Sequence, residues 1–169
     1  MKVTRYIIAV LLTGLVISSC KKPDEYPVVP SIDYKSMIVL HDANGYDGSI
    51  DVTIGLTDGD GDIGYYPRES GLNDPIFDDP SSEYYTNFKV ETYHKIMGVW
   101  TLDTVDISAR IPYLTPEGSN KALKCEVRRN LPIRPSLNLD TFYYKIFIYD
   151  RGLHQSNTIT TPEVVLTSQ

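Results

Sequence analysis

Apolar and polar residues alternate along several short segments of this 169-residue chain. In the segment 49–56, "SIDVTIGL", every second residue is a branched aliphatic one, namely Ile50, Val52, Ile54 and Leu56. A period of two residues places these side chains on one face of a β-strand and the intervening residues on the other. No segment of ten or more residues shows helical spacing, so the alternation predicts half-buried antiparallel strands.

Six further segments have strand-like patterns, separated by residues typical of turns: 36–40, 87–97, 99–111, 122–129, 141–150 and 156–167. Gly98 lies between two of these segments and predicts a hairpin. About seven short strands with such turns predict an all-β fold, an immunoglobulin/fibronectin-like antiparallel β-sandwich over residues 32–169. A small barrel is the alternative architecture.

The chain opens with a segment of a different kind. Lys2 and Arg5 are the only charged residues among the first 19, and an unbroken apolar or small run extends from Ile7 to Ile17. This run of 11 residues is short for a membrane-spanning helix, which takes about 20. A basic start, a short apolar run and small residues at its end predict a secretory signal peptide over residues 1–19.

The signal peptide runs into Ile17-Ser18-Ser19-Cys20, which resembles the lipobox of bacterial lipoproteins. In that family the cysteine thiol receives a diacylglyceryl group, a peptidase cuts just before the cysteine, and the new amine usually receives a further fatty acid such as palmitate. The resemblance implies that Cys20 is the lipid-attachment residue. It also implies anchoring to the outer membrane, with the side that the domain faces left open. More than one acyl chain gives a stable anchor.

Residues 20–31 are predicted to form an extended tether, because "KKPDEYPVVPS" after the cysteine carries three prolines in 11 positions. Lysines followed by acids near Cys20 resemble surface-export signals of Bacteroidetes lipoproteins. Removal of residues 1–19 takes away two basic residues and no acidic one, which shifts the formal net charge from −6 to −8. This acidic balance argues against nucleic acid as a partner.

The motif "DGDGDIG" at 58–64 places Asp58, Asp60 and Asp62 at alternate positions. Calcium takes six to eight oxygen ligands, and aspartates separated by flexible glycines let one loop wrap around a cation. Ile63 stands at the sixth position, where an EF-hand loop has glycine. Calcium, another cation and a bare polar turn remain open as interpretations, since Asp-Gly pairs are frequent in turns.

Asp150 is predicted as a further metal ligand. In an immunoglobulin-like order, the strands 49–56 and 141–149 are strands B and F, which run toward the same end of the sandwich. Asp150 would then lie near the acidic motif, and "YDRGLHQSNTITTPEVVL" resembles the last turn and strand of calcium-binding cadherin-type repeats. The alternative is that Arg151 pairs with a nearby acid.

The pattern of the whole mature chain resembles a group of Bacteroidetes lipoproteins that carry one β-sandwich domain. The segments "DGDGDIG", "IPYLTPEGSNKALKCEV", "DTFYYKIFIYDRG" and "SNTITTPEVVL" carry the resemblance, which spans about residues 30 to 167. It implies a fold and a location and no particular activity.

The chain lacks the sequence motifs of common catalytic sites. It has no G-x-S-x-G, no phosphate-binding loop and no zinc motif, and His41, His94 and His154 show no metal-ligand spacing. We therefore expect a non-enzymatic binding or structural module, tethered to the membrane and stabilised by calcium, with a protein or glycan as its partner.

Two other functions are weighed against this expectation. A glycan-binding accessory lipoprotein of an outer-membrane uptake system would need exposed aromatic side chains, with those around Trp100 as candidates. A small hydrolase would need two carboxylates about 5–10 Å apart at an open cleft. The acidic motif does not require that spacing, so the hydrolase is less favoured.

Overall fold

Eight β-strands and one single-turn helix form the part of the chain that the computed structural model describes, which is residues 24–66, 71–72, 74–133 and 141–166. The elements are β1 (Ser31–His41), β2 (Asp47–Asp58), α1 (Pro75–Asp78), β3 (Phe88–Ile96), β4 (Val99–Leu102), β5 (Leu123–Pro132), β6 (Thr141–Ile148), β7 (Ile159–Thr160) and β8 (Val164–Val165). The predicted signal peptide and Cys20 lie outside the described residues.

The strands form two antiparallel sheets. One has the order β1-β2-β5, and the other has the order β4-β3-β6-β7, with β8 also paired to β6. The first sheet corresponds to strands A, B and E of an immunoglobulin-type sandwich, and the second to C′, C, F and G. The predicted all-β sandwich is therefore confirmed, with eight strands.

The core lies between the two sheets and follows the alternation in the sequence. Apolar residues of β2 and β6 face each other with at most 4% of their surface exposed: Ile50, Val52, Ile54, Leu56, Phe142, Tyr144, Ile146 and Ile148. Burial of one such side chain stabilises the fold by about 1.5–3 kcal/mol. These two strands thus form the centre on which the loops are built.

Strand β1 begins earlier than predicted. The expected strand was 36–40, whereas β1 starts at Ser31, the last residue of the predicted tether, and pairs with β2 along its whole length. The pairing shifts register between Tyr34 and Ser36. Such a bulge interrupts the period of two, which is why the alternation does not show the full strand.

The predicted strand 99–111 is wrong beyond Leu102, where β4 ends. The carboxylates of Asp103 and Asp106 each accept a hydrogen bond from the backbone N–H two residues further on, at 3.0 and 2.8 Å. Such local bonds stabilise turns at the expense of a strand. The chain returns to the edge of β3 at Ala109, which forms an isolated bridge.

The last predicted strand, 156–167, is divided into the two short strands β7 and β8. Pro162 lies between them and has no N–H to contribute to the sheet. The hydroxyl of Thr161 accepts a hydrogen bond from the backbone N–H of Tyr144 at 3.0 Å. This side chain therefore replaces one backbone partner at the break.

The two ends of the sandwich differ in character. At the end that we call the acidic end, β2 and β6 finish near Asp58 and Asp150. At the opposite end, the hairpin end, β3 turns into β4 through Met97 and Gly98, with φ values of 49° and 82°. A two-residue turn with positive φ at both positions matches the twist of a hairpin and confirms the one predicted at Gly98.

We expect Ile54→Ala to lower the free energy of unfolding by about 2–5 kcal/mol, because Ile54 is fully buried and the change leaves a cavity. Ile38→Ala is the matched control, since Ile38 is 53% exposed and should cost less than about 1 kcal/mol. Urea denaturation of both variants measures the difference. Equal losses would contradict the position of the core.

Candidate metal centre

Asp58 and Asp150 continue the buried faces of the two central strands. Asp58 is the last residue of β2 and is 0% exposed, and Asp150 follows β6 and is 1% exposed. Both occupy the next even position after a run of buried even positions. The alternation that buries Leu56 and Ile148 therefore also turns these two carboxylates inward.

The structure brings three of the four predicted ligands together. One oxygen from each of Asp58, Asp62 and Asp150 lies within 4.8 Å of the others. We call these three residues the acidic cluster. Asp60 is exposed and does not belong to it. The prediction that Asp60 is a fourth ligand therefore has no support in the arrangement of the loop.

The turn of the loop explains why Asp62 points inward and Asp60 does not. Gly61 has φ +64°, and a Cβ at this position would overlap the carbonyl oxygen of Lys121. Only glycine fits such a conformation and such a close approach. Beyond the turn, the backbone N–H of Asp62 donates to Asp58 Oδ2 at 3.0 Å, which closes the loop on the cluster.

Two oxygens of the acidic cluster have no hydrogen-bond partner among the residues that the structure describes. They are Asp58 Oδ1 and Asp62 Oδ1, and both are buried. A buried carboxylate oxygen without a partner is costly, because it has lost its hydration and gained nothing in exchange. The orphan oxygens of the cluster therefore fit a cation, which would supply the missing partner for both.

Burial and the neighbouring carboxylates also raise the pKa values of two members of the acidic cluster. Burial, followed by the charges of Asp60 and Asp62, raises the pKa of Asp58 to about 7. Burial, followed by the charge of Asp150, raises the pKa of Asp62 to about 6. At neutral pH Asp58 is thus only partly ionised, and either protons or a cation relieves the repulsion among the three carboxylates.

His154 holds the carboxylate of Asp150. Its backbone N–H donates to Asp150 Oδ1 at 2.7 Å, and its Nδ1 lies 2.9 Å from Oδ2. This hydrogen bond and the charge of Asp150 raise the pKa of His154. The spacing of the three histidines in the sequence does not indicate that His154 lies at a metal site. The sequence signal for its contact with Asp150 is that the two residues are four positions apart across a turn.

Arg151 holds the acidic loop, which is residues 58–64, through neutral hydrogen-bond acceptors. Its guanidinium donates to the carbonyl oxygens of Ile63 and Gly64 at 3.2 and 2.9 Å, and to Thr115 Oγ1 at 2.8 Å. Its backbone N–H donates to the carbonyl oxygen of Asp62 at 3.1 Å. Among the described residues, Arg151 forms these hydrogen bonds and no salt bridge to an acid, which was the alternative interpretation. The bonds join the loop to the turn after β6.

The aromatic residues around Trp100 pack mainly against one another. The rings of Tyr93 and Tyr143 are stacked at 5.1 Å with an interplanar angle of 7°, and Trp100 meets Tyr143 edge-on at 4.7 Å. Lys145 Nζ lies 4.8 Å from the centre of the Tyr93 ring. These contacts join β4, β3 and β6, so the cluster stabilises the outer face of the sheet.

Comparison of the chain with models of protein families, with curated proteins and with solved structures found no match. The role of the site therefore rests on its own geometry. Among the described residues, no helix is both long and apolar enough to cross a membrane.

Without a cation, we expect Asp58→Asn to gain stability relative to the unchanged protein as pH rises from about 4 to about 7. An unfolded aspartate ionises near its ordinary pKa of 3.8, whereas folded Asp58 stays protonated until about 7. The contribution of Asp58 to stability is thus fully present below the unfolded pKa of 3.8, and it is lost as pH rises through the folded pKa of about 7. Asparagine does not ionise and has no such loss.

Thermal melting of both proteins across this pH range, in chelator, measures the difference. The comparison is needed because the pKa values of Asp62 and His154 are also raised, so their contributions to stability are lost as pH rises in both proteins. A constant difference in melting temperature between the two proteins would contradict the raised pKa of Asp58.

Proposed function

We propose that this chain is a lipid-anchored protein of the cell envelope whose sandwich is a non-enzymatic binding or structural module, stabilised by calcium at the acidic cluster. One observation carries the calcium part of the proposal. Asp58 is fully buried and its Oδ1 lacks a hydrogen-bond partner within the described part of the chain, beside two further carboxylates whose oxygens lie within 4.8 Å. A cation would satisfy the buried oxygen and neutralise the repulsion.

The ligand atoms favour calcium among the common cations. All three are carboxylate oxygens, which are hard ligands, and zinc sites usually include imidazole nitrogen or thiolate sulfur. The only ring nitrogen of the described residues that contacts the cluster is His154 Nδ1, and it lies on Asp150. Calcium also tolerates irregular geometry in a flexible loop, whereas magnesium demands a regular octahedron.

Burial of the carboxylates supports a role without catalysis. A glycosidase needs two carboxyl groups with room between them for a sugar, at a separation of about 5–10 Å. Asp58 and Asp150 are 0% and 1% exposed, so a sugar cannot reach these two carboxylates. The hydrolase alternative is therefore less favoured than a bound cation.

The partner of the module is a protein or a glycan. A glycan-binding accessory role has less support, because Tyr93 and Tyr143 stack on each other and one face of each ring is therefore covered. The membrane attachment rests on the lipobox-like sequence ending at Cys20, with the outer membrane as the proposed location.

We expect calcium to raise the melting temperature of the full-length chain by about 5–10 °C at a concentration 100 times its Kd. Asp62→Asn removes a cluster carboxylate and should weaken calcium binding by more than about tenfold. Asp60→Asn is the matched control, because it removes the same charge from an exposed position outside the cluster. Calorimetric titration and melting curves of the detergent-solubilised proteins provide the measurement.

Equal calcium affinities of the Asp62→Asn and Asp60→Asn proteins would contradict the assignment of the ligands. Absence of both heat and a melting shift in the unchanged protein would reduce the motif 58–64 to a polar turn.

We expect Cys20→Ser to abolish incorporation of labelled palmitate and to release the protein from the membrane fraction, because serine has no thiol for the diacylglyceryl group. Expression in a bacterium that processes lipoproteins, followed by labelling and fractionation, gives the measurement. Cys125→Ser is the matched control, since Cys125 is a half-buried free cysteine of β5. Labelling that persists in Cys20→Ser would contradict the lipid anchor.

A further inference from the structure

The tether lies against the acidic loop. Gly59 directly follows Asp58, and a Cβ at Gly59 would overlap the carbonyl oxygen of Tyr26 and lie 2.7 Å from that of Pro27. Pro30, at the end of the tether, is buried. The two backbones therefore touch, and the contact leaves no room for a side chain at Gly59.

A second attachment joins the start of β1 to the turn that carries Asp150. The side chain of Asn157 accepts a hydrogen bond from the backbone N–H of Ile32 at 2.8 Å and donates to the Ile32 carbonyl oxygen at 2.9 Å. Asn157 follows His154, which holds Asp150, by three residues. Of the two chain segments that provide the acidic cluster, one thus contacts the tether at Gly59, and the other contacts the start of β1, directly after the tether, at Asn157.

A cation bound at the acidic cluster would affect both the contact at Gly59 and the one at Asn157. Without a cation, repulsion among the three carboxylates acts on the loop at Asp58, one residue from the contact at Gly59. A cation that binds only the ordered loop stabilises that loop increasingly as its concentration exceeds Kd. The tether can contact Gly59 only when the loop is ordered. The cation therefore also stabilises the contact between the tether and the loop.

We propose that the cation at the acidic cluster fixes the tether against the domain and thereby sets how the domain stands on the membrane. This inference rests on the proposed function. Cys20 precedes Tyr26 by six residues, which span at most about 20 Å. A lipid on Cys20 would therefore lie nearer the acidic end than the hairpin end, whose turn carries the fully exposed Met97. Loss of the cation frees the tether and with it this orientation.

Hydrogen exchange of the full-length lipidated chain in phospholipid nanodiscs tests the proposal. Calcium at 100 times Kd should slow exchange in a peptide covering residues 28–33 at least tenfold relative to chelator. A peptide covering the turn between β3 and β4 is the internal control, because it lies at the hairpin end, and its exchange should not change.

Gly59→Ala separates tether fixation from calcium binding. The added Cβ displaces the carbonyl oxygens of Tyr26 and Pro27 and removes no ligand. We expect calcium still to bind, with its affinity reduced by about the factor by which it slows tether exchange in the unchanged protein, because the coupling is reciprocal. The calcium-dependent protection of residues 28–33 should be lost. Gly48→Ala is the matched control, since a Cβ there meets its nearest atom at an ordinary 3.6 Å. Its exchange should match that of the unchanged protein.

Asn157→Ala provides a second variant if Gly59→Ala does not fold. It removes both hydrogen bonds to Ile32 and should reduce the protection of residues 28–33 while calcium still raises the melting temperature. Calcium binding without any change in tether exchange, or full protection in Gly59→Ala, would overturn the inference and leave the proposed function intact. Absence of calcium binding would overturn both.

Discussion

The packing of β2 against β6 is the constraint on which the rest of the structure depends. One face of each strand is apolar at every second residue, and the two faces meet in the core. Both strands run toward the same end, so the next even positions, Asp58 and Asp150, are carried into the same buried space. The periodicity that creates the core therefore also creates the acidic cluster, and the loops around it serve to contain three like charges.

The sequence predicts the features that depend on regular alternation and leaves out those that depend on individual side chains. The sandwich and the placement of Asp150 beside the acidic motif follow from strand period and direction. The bulge in β1 hides its first residues, and local bonds from Asp103 and Asp106 end β4 early. These features break the pattern from which strands are inferred.

The acidic cluster shows the same division between pattern and detail. Alternate aspartates suggest that one loop directs all of them toward a cation, yet the positive φ of Gly61 turns Asp62 inward and leaves Asp60 in solvent. The contact of His154 with Asp150 and that of Arg151 with Gly64 depend on the tight turn after β6, which the sequence does not specify residue by residue. Burial of ionisable groups at such a site lowers intrinsic stability, a cost that proteins accept mainly where a bound partner offsets it.

The direction of β1 has a mechanical consequence. The strand enters at the acidic end and runs to the hairpin end, paired with β2 through ten residue pairs. A force that pulls the chain before Ser31 away from the hairpin end acts along the axis of β1. The backbone bonds between the two strands then bear the load together in shear, instead of opening one after another as in peeling. The pairing of β1 with β2 therefore resists a force applied between the N-terminal segment and the hairpin end.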